Sequence, residues 1–182
     1  MTPTFIEIYP NALSDELCDE LINMGNELIE SKHEGVDFNE NSNRVDQNIF
    51  INSYSRFDTQ RESIEKVIHK HMQDYCEKYD VNYRNELLDR SLKFQKSSAG
   101  QGFYTWHSEQ GTGDQYSGRF AVWMFYLNDV TEGGATQFKH FDLDVQPTKG
   151  TLVLWPAAYT HLHRAAPDLE QDKYILTGWF SL

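Results

Sequence analysis

Residues 91–109 read SLKFQKSSAGQGFYTWHSE, and the change of pattern that begins there decides the fold. Leu92 and Phe94 alternate with Lys93 and Gln95, the period of a strand with one face in a core. Short strand candidates then follow one another at 91–97, 102–107, 119–127, 135–138, 143–146, 150–155 and 173–181, with Gly and polar turns between them. Many short strands punctuated in this way predict a mainly β sandwich or barrel.

Upstream, the periods are different. Phe5 to Tyr9 is a short strand candidate ending at Pro10. Ser14 has the character of an N-cap, Asp15 and Glu16 suit the first turn, and Leu17, Leu21, Met24 and Leu28 recur at helical spacing, which predicts a helix over about 14–30. Residues 32–48, rich in Asn, Asp and Glu, read as a mobile surface loop. Ile49 to Tyr54 reads as a strand. A second helix is expected from Asp58 to about Tyr79, with Thr59 and Glu62 as a capping box and Ile64, Val67, Ile68, His71, Met72 and Tyr75 as its apolar stripe. His69 and His71 lack acidic or imidazole partners at i+4 spacing and are not expected to bind metal. Neither a repeat nor a linker interrupts the chain. The expectation is one domain over 1–182, with helical support over about 1–90 and the β core over about 91–182.

The chain has 182 residues, 39% hydrophobic and 14% aromatic, enough for one compact core. A formal net charge of −12 argues against nucleic-acid binding and would suit a basic partner. No apolar stretch reaches membrane-spanning length, and the N-terminus lacks the pattern of a signal peptide. Cys18 and Cys76 fall in helix-like segments and suggest neither a metal site nor a disulfide framework, so a cytoplasmic protein is expected.

The chemistry gathers near the C-terminus. His107 and Glu109 are two residues apart, so a strand puts both side chains on one face, and the loop from Gln110 to Gly118 suits the rim of an open site. His161 and His163 are also two apart, after the apolar run Leu152-Val153-Leu154-Trp155. Two imidazoles and a carboxylate can hold Fe(II) and leave positions open for substrate and O2. Lys173, ten residues past His163, can hold the far carboxylate of an organic acid. The set points to an oxygenase using 2-oxoglutarate. Either His161 or His163 can be the second imidazole on this reading.

Beyond these residues the chain resembles the catalytic core of the 2-oxoglutarate- and Fe(II)-dependent oxygenases, in particular the prolyl 4-hydroxylase branch, from about Phe94 to Trp179. Tyr104-Thr105-Trp106-His107-Ser108-Glu109 is similar to that family's Y-x-x-H-x-D segment. Phe125-Tyr126-Leu127-Asn128-Asp129, followed by Gly133-Gly134-Ala135-Thr136-Gln137-Phe138, resembles its Y-L-N-D…G-G-x-T-x-F element. Pro147-Thr148-Lys149-Gly150, then His163 with Pro167, Lys173 and Thr177-x-Trp179, follow its closing order. The resemblance implies a double-stranded β-helix, or cupin-like jelly roll, behind N-terminal helices. It implies His107, Glu109 and His163 as ligands of Fe(II), His163 being chosen over His161 because Pro167 and Lys173 take their family spacing from it. It implies Lys173, with Tyr126, Thr136 and Tyr104, as the 2-oxoglutarate-binding set, O2 as oxidant and ascorbate as reductant. Arg164 and Tyr159 are placed at the substrate mouth, and Trp106, Trp155 and Trp179 in the core.

Two departures stand out. Glu109 occupies a position where the family usually has Asp; a longer carboxylate could chelate through both oxygens and crowd the O2 position. Ser97 lies near where many relatives carry a co-substrate-binding Tyr. The resemblance implies hydroxylation of an unactivated C–H bond, first of all on a prolyl residue of a peptide or protein. The alternatives are a free amino acid or other small molecule, and a metal-binding or sensing jelly roll without turnover.

Overall fold

The computed structural model describes residues 3–41, 43–82 and 88–181. Its architecture follows from strands whose two faces meet different cores. In β6 (Arg119–Tyr126), Ala121, Trp123 and Phe125 enter one hydrophobic cluster, whereas Val122, Met124 and Tyr126 enter another. In β9 (Leu152–Pro156), Leu152 and Leu154 join the first cluster and Val153 and Trp155 the second. A strand buried on both faces reads as a continuous apolar run, as these two do.

The first cluster lies under two helices. α1 (Asp15–Glu30) is capped by Ser14, whose hydroxyl accepts the Leu17 N–H at 3.3 Å, and it buries Cys18, Leu21, Leu28 and Ile29. α2 (Asp58–Tyr79) buries Ile64, Ile68, Met72, Tyr75 and Cys76. The expected capping box on α2 does not form. The helix starts at Asp58, so Thr59 is already inside it, and buried Phe57 at the N-cap position makes no side-chain cap. Packing of Phe57, rather than a hydroxyl, sets that helix start.

The large sheet runs in the order β1 (Glu7–Tyr9), β9, β6, β11 (Lys173–Ser181), β4 (Leu88–Ser97), β3 (Arg44–Phe50) and β2 (Asp37–Asn41), with the short β5 (Gly102–Phe103) also paired to β3. Facing it is a small antiparallel sheet, β10 (His163–Ala165), β7 (Thr136–Phe138) and β8 (Leu143–Val145). The result is two curled antiparallel sheets with helices on one outer face, a jelly roll. Where β11 passes β4 and β6, Gly178 is required: a Cβ there would lie 2.3 Å from the Ser91 carbonyl oxygen and from the Trp123 ring.

Within 32–48, the stretch expected to be a mobile loop, residues 37–41 and 44–48 are strand. They supply β2 and most of β3, a hairpin that extends the large sheet. Its polarity has a structural cause: Arg44, Asp46 and Asn48 alternate with Val45, Gln47 and Ile49, Arg44 and Asn48 line the cavity, and Asp46 is buried beside them. Asp46 is 1% exposed, and its carboxylate accepts hydrogen bonds from Asn39, Arg44, Asn48 and Gln95. A strand whose inward face is polar gives no hydrophobic alternation to read. The first half of the chain is therefore not only helical support. The strand expected over Ile49 to Tyr54 ends at Phe50 in a 3₁₀ turn, Ile51–Ser53. That expected over 102–107 is reduced to β5 and an isolated bridge at His107. Among the described residues no helix is long and apolar enough to cross a membrane.

Candidate metal centre and active-site cavity

A cavity of about 510 Å³ opens between the two sheets. His107 and His163 are tied together at its wall by reciprocal backbone hydrogen bonds, His107 N–H to the His163 carbonyl at 3.1 Å and His163 N–H to the His107 carbonyl at 2.9 Å. Glu109 follows two residues after His107, and its backbone N–H donates to the Ala157 carbonyl. One donor atom from each of the three side chains lies within 4.8 Å of the other two. Glu109 Oε1 is 3.6 Å from Nε2 of each histidine.

Each imidazole is oriented by its other nitrogen. His107 Nδ1 lies 2.8 Å from the Thr105 carbonyl oxygen and His163 Nδ1 lies 3.0 Å from that of His161. A carbonyl only accepts, so Nδ1 carries a proton in each ring and Nε2 is the nitrogen turned towards Glu109. Phe103 stacks on His107 with ring centroids 4.0 Å apart, and Trp155 packs edge-on against His163 at 5.1 Å. Burial by itself would raise the Glu109 carboxyl, but the facing imidazoles hold it well below the usual carboxylate range. Its second oxygen is engaged elsewhere: Oε2 accepts from Arg119 Nη1 at 2.9 Å and from Trp179 Nε1 at 3.0 Å. The Arg119 guanidinium also stacks 3.6 Å over the Trp179 ring. With Oε2 held in this way, Oε1 is the oxygen that faces the two imidazoles.

His161 is outside the cavity. It is buried, with Nε2 2.9 Å from the Thr4 carbonyl oxygen, Nδ1 2.9 Å from Thr160 Oγ1, and Phe141 stacked on its ring. Its backbone carbonyl orients His163.

At the other end of the cavity Lys173 is 7% exposed and has no carboxylate partner among the described residues. Its ammonium donates to the Gly134 carbonyl at 2.5 Å, a carbonyl presented by a left-handed residue, φ +63°. Desolvation pushes its pKa down to about 8. Ser97 is its partner in the sheet register, and both line the cavity with Thr136.

The remaining expected site residues separate. Arg164 lines the cavity, donating to Gln137 Oε1 at 2.9 Å with its guanidinium 4.4 Å over the Trp106 ring. Tyr126 is fully buried behind the wall, its hydroxyl 2.6 Å from Thr136 Oγ1, so it touches the cavity only through Thr136. Tyr104 is a correction: its hydroxyl donates to the Gly100 carbonyl at 2.9 Å, outside the cavity, because Phe103 takes the inward position of that strand. Tyr159 is another: on a 3₁₀ turn and 76% exposed, it points into solvent. Trp155 and Trp179, expected only in the core, both line the cavity. Arg119 and Lys93 were not anticipated. Lys93 shares the polar face of β4 with Gln95 and Ser97, an alternation that could have marked it.

Residues 92–181 match the family model described as the 2OG-Fe(II) oxygenase superfamily. Among curated proteins, prolyl 4-hydroxylase subunit alpha-1 of Gallus gallus is 40% identical over 78 residues, covering 39% of this chain and 14% of that protein. The Homo sapiens subunit is 38% identical over the same length, with the same coverage. The chain spans about a seventh of the length of these relatives. Among solved structures, a prolyl hydroxylase from Trichoplax adhaerens, in complex with a hypoxia inducible factor peptide, superposes with a TM-score of 0.74 at 17% identity, over 98% of this chain and 84% of that one. A viral collagen prolyl hydroxylase from Paramecium Bursaria Chlorella virus-1 gives 0.66 at 21%, over 96% and 94%. These likenesses establish the shared jelly-roll fold.

Proposed function

We propose that the protein is a 2-oxoglutarate-dependent dioxygenase that hydroxylates a prolyl residue in a peptide or protein, a reading supported by the match of residues 92–181 to the 2OG-Fe(II) oxygenase superfamily model. The observation that carries this reading is a buried lysine with no counter-ion among the described residues, in the same cavity as two imidazoles and a carboxylate. An unpaired buried ammonium is unfavourable unless a ligand brings the anion. The residues fit the implied groups. His107 Nε2, His163 Nε2 and Glu109 Oε1 would hold Fe(II), and Lys173 would receive the far carboxylate of 2-oxoglutarate, with Thr136 and Ser97 beside it. When bound, the iron and co-substrate supply activation of O2 and oxidation of a C–H bond, with succinate and CO2 as by-products.

The chain's own part is placement. The two backbone-bridged histidines hold their Nε2 atoms inward. Arg119 and Trp179 occupy Glu109 Oε2, so Oε1 is the oxygen that would be offered to the metal. Phe103, Met124, Trp155 and Ile175 give the cavity an apolar wall that limits water. The choice of a prolyl peptide is supported by the similarity to prolyl 4-hydroxylase subunits. Buried, unpaired Cys18 and Cys76 are in keeping with a reducing, cytoplasmic setting.

The test is succinate formation from 2-oxoglutarate with Fe(II) and ascorbate under air, with and without a proline-rich peptide. We expect peptide-stimulated succinate and a matching hydroxyproline yield. Succinate stimulated by free proline instead would move the substrate to small molecules. Iron binding without any succinate would overturn the enzymatic reading.

A further inference from the structure

The cavity holds a second lysine that the metal and co-substrate do not account for. Lys93 lies on β4 on the same face as Gln95 and Ser97, opposite Leu92 and Phe94, which enter the helix-covered core. Its register partners are Phe50 of β3 and Thr177 of β11, both also in the cavity wall. Lys173 is the partner of Ser97, four residues further along β4. At about 3.4 Å per residue, the two lysine rows are about 14 Å apart. A five-carbon diacid spans only about 5 Å between its end carbons. Lys93 thus stands in a different strand row from the lysine that would hold that anion.

Neighbouring acids do not claim it either. Asp46 is paired with Arg44 at 2.7 Å, and Glu109 Oε2 with Arg119 at 2.9 Å. Asp37, on the exposed rim, makes no ion pair with Lys93, and Lys93 has no carboxylate partner among the described residues. Burial, then the nearby Arg44 charge, push the Lys93 pKa down to about 8. The lysine stands beside the Thr177–Trp179 segment whose indole holds Glu109. Although the chain is acidic overall, Arg44, Lys93, Arg119, Arg164 and Lys173 all line this cavity.

We propose that Lys93 forms a substrate-carboxylate subsite: it receives an anionic group carried by the molecule to be hydroxylated. The carboxylate comes from an acidic residue flanking the target in a peptide, or from the α-carboxyl of a free amino acid. The inference rests on the oxygenase reading of the cavity.

The test uses the protein loaded with Fe(II) and 2-oxoglutarate under nitrogen, with binding followed by calorimetry. The probes are acid and amide pairs: Ac-Glu-Pro-Gly-NH2 against Ac-Gln-Pro-Gly-NH2, Ac-Gly-Pro-Glu-NH2 against its Gln counterpart, and L-proline against L-prolinamide. At least one acid should bind about tenfold more tightly than its amide. That ratio should fall below about twofold in Lys93→Met and return in Lys93→Arg. The pair that shows it identifies the source of the carboxylate. Acid and amide that bind alike, no binding by any probe, or a preference that survives Lys93→Met would each overturn the subsite. Titration of 2-oxoglutarate into the protein loaded with Fe(II) alone, before any probe is added, separates the two levels: if it binds while no acid preference appears, only the subsite falls, whereas if it does not bind, the oxygenase reading itself fails.

Discussion

Lys173→Met should have opposite effects on the free protein and on its complex with 2-oxoglutarate. The ammonium is 7% exposed and faces no carboxylate among the described residues. Holding its pKa at about 8 instead of the ordinary 10.5 costs about 3 kcal/mol at neutral pH. Methionine removes that cost and keeps the length of the side chain, but it leaves the Gly134 carbonyl without its donor, a loss of about 1 kcal/mol. The variant should therefore be more stable than the parent by about 2 kcal/mol at pH 7. The sign in pH follows from a folded pKa below the unfolded one. Between pH 8 and 10.5 the unfolded chain holds the proton that the folded chain has released, so the parent gains stability as pH rises. The difference between parent and variant should narrow across that window, as read by urea unfolding at pH 7 and pH 10. With co-substrate the order reverses. Loss of the charge-assisted contact should weaken 2-oxoglutarate binding about 100-fold, and the same concentration of 2-oxoglutarate should raise the melting temperature of the parent more than that of the variant. A variant less stable than the parent at pH 7, or one that binds 2-oxoglutarate unchanged, would refute the assignment of Lys173 as a counter-ion awaiting its ligand.

Three further outcomes are expected. His163→Ala should abolish Co(II) binding measured by its visible absorption, whereas His161→Ala should keep it and lose about 1–3 kcal/mol of stability through the orphaned Thr4 contact; the opposite pattern would exchange the two roles. Trp179→Phe removes one donor from Glu109 Oε2 and should weaken metal binding about tenfold with little change in fold by circular dichroism; unchanged metal affinity would count against the clamp. Gly178→Ala should destabilise by about 2 kcal/mol or more in urea unfolding, since its methyl meets the Ser91 carbonyl and the Trp123 ring at 2.3 Å, and a neutral result would mean that the strands shift freely there.

Much of this was legible along the chain. Ser14 with Asp15 and Glu16 announces α1 because capping is a local matter of a hydroxyl and the next three N–H groups. The apolar runs of β6 and β9 reveal two-sided burial, and the His107–Glu109 spacing puts ligand types on one face. The β2–β3 hairpin stayed hidden because its inward residues, such as Asp46 and Asn48, satisfy one another instead of packing in oil. Tyr104 and Phe103 show the same limit: adjacent aromatic residues face opposite ways, and only the pairing of β5 with β3 decides which enters.

The sequence by itself determined the strand-rich class, both helices, and the presence of two imidazoles, one carboxylate and a lysine in an order suited to iron and 2-oxoglutarate. Those are properties of residue type and short-range spacing, which the chain carries in any conformation. The tertiary structure alone decided that His161 anchors to Thr4 while His163 faces the cavity, that Arg119 and Trp179 hold the second oxygen of Glu109, and that Lys93 has no counter-ion among the described residues. Each depends on strand register between segments tens of residues apart, and a shift of one residue would turn every one of those side chains to the opposite face.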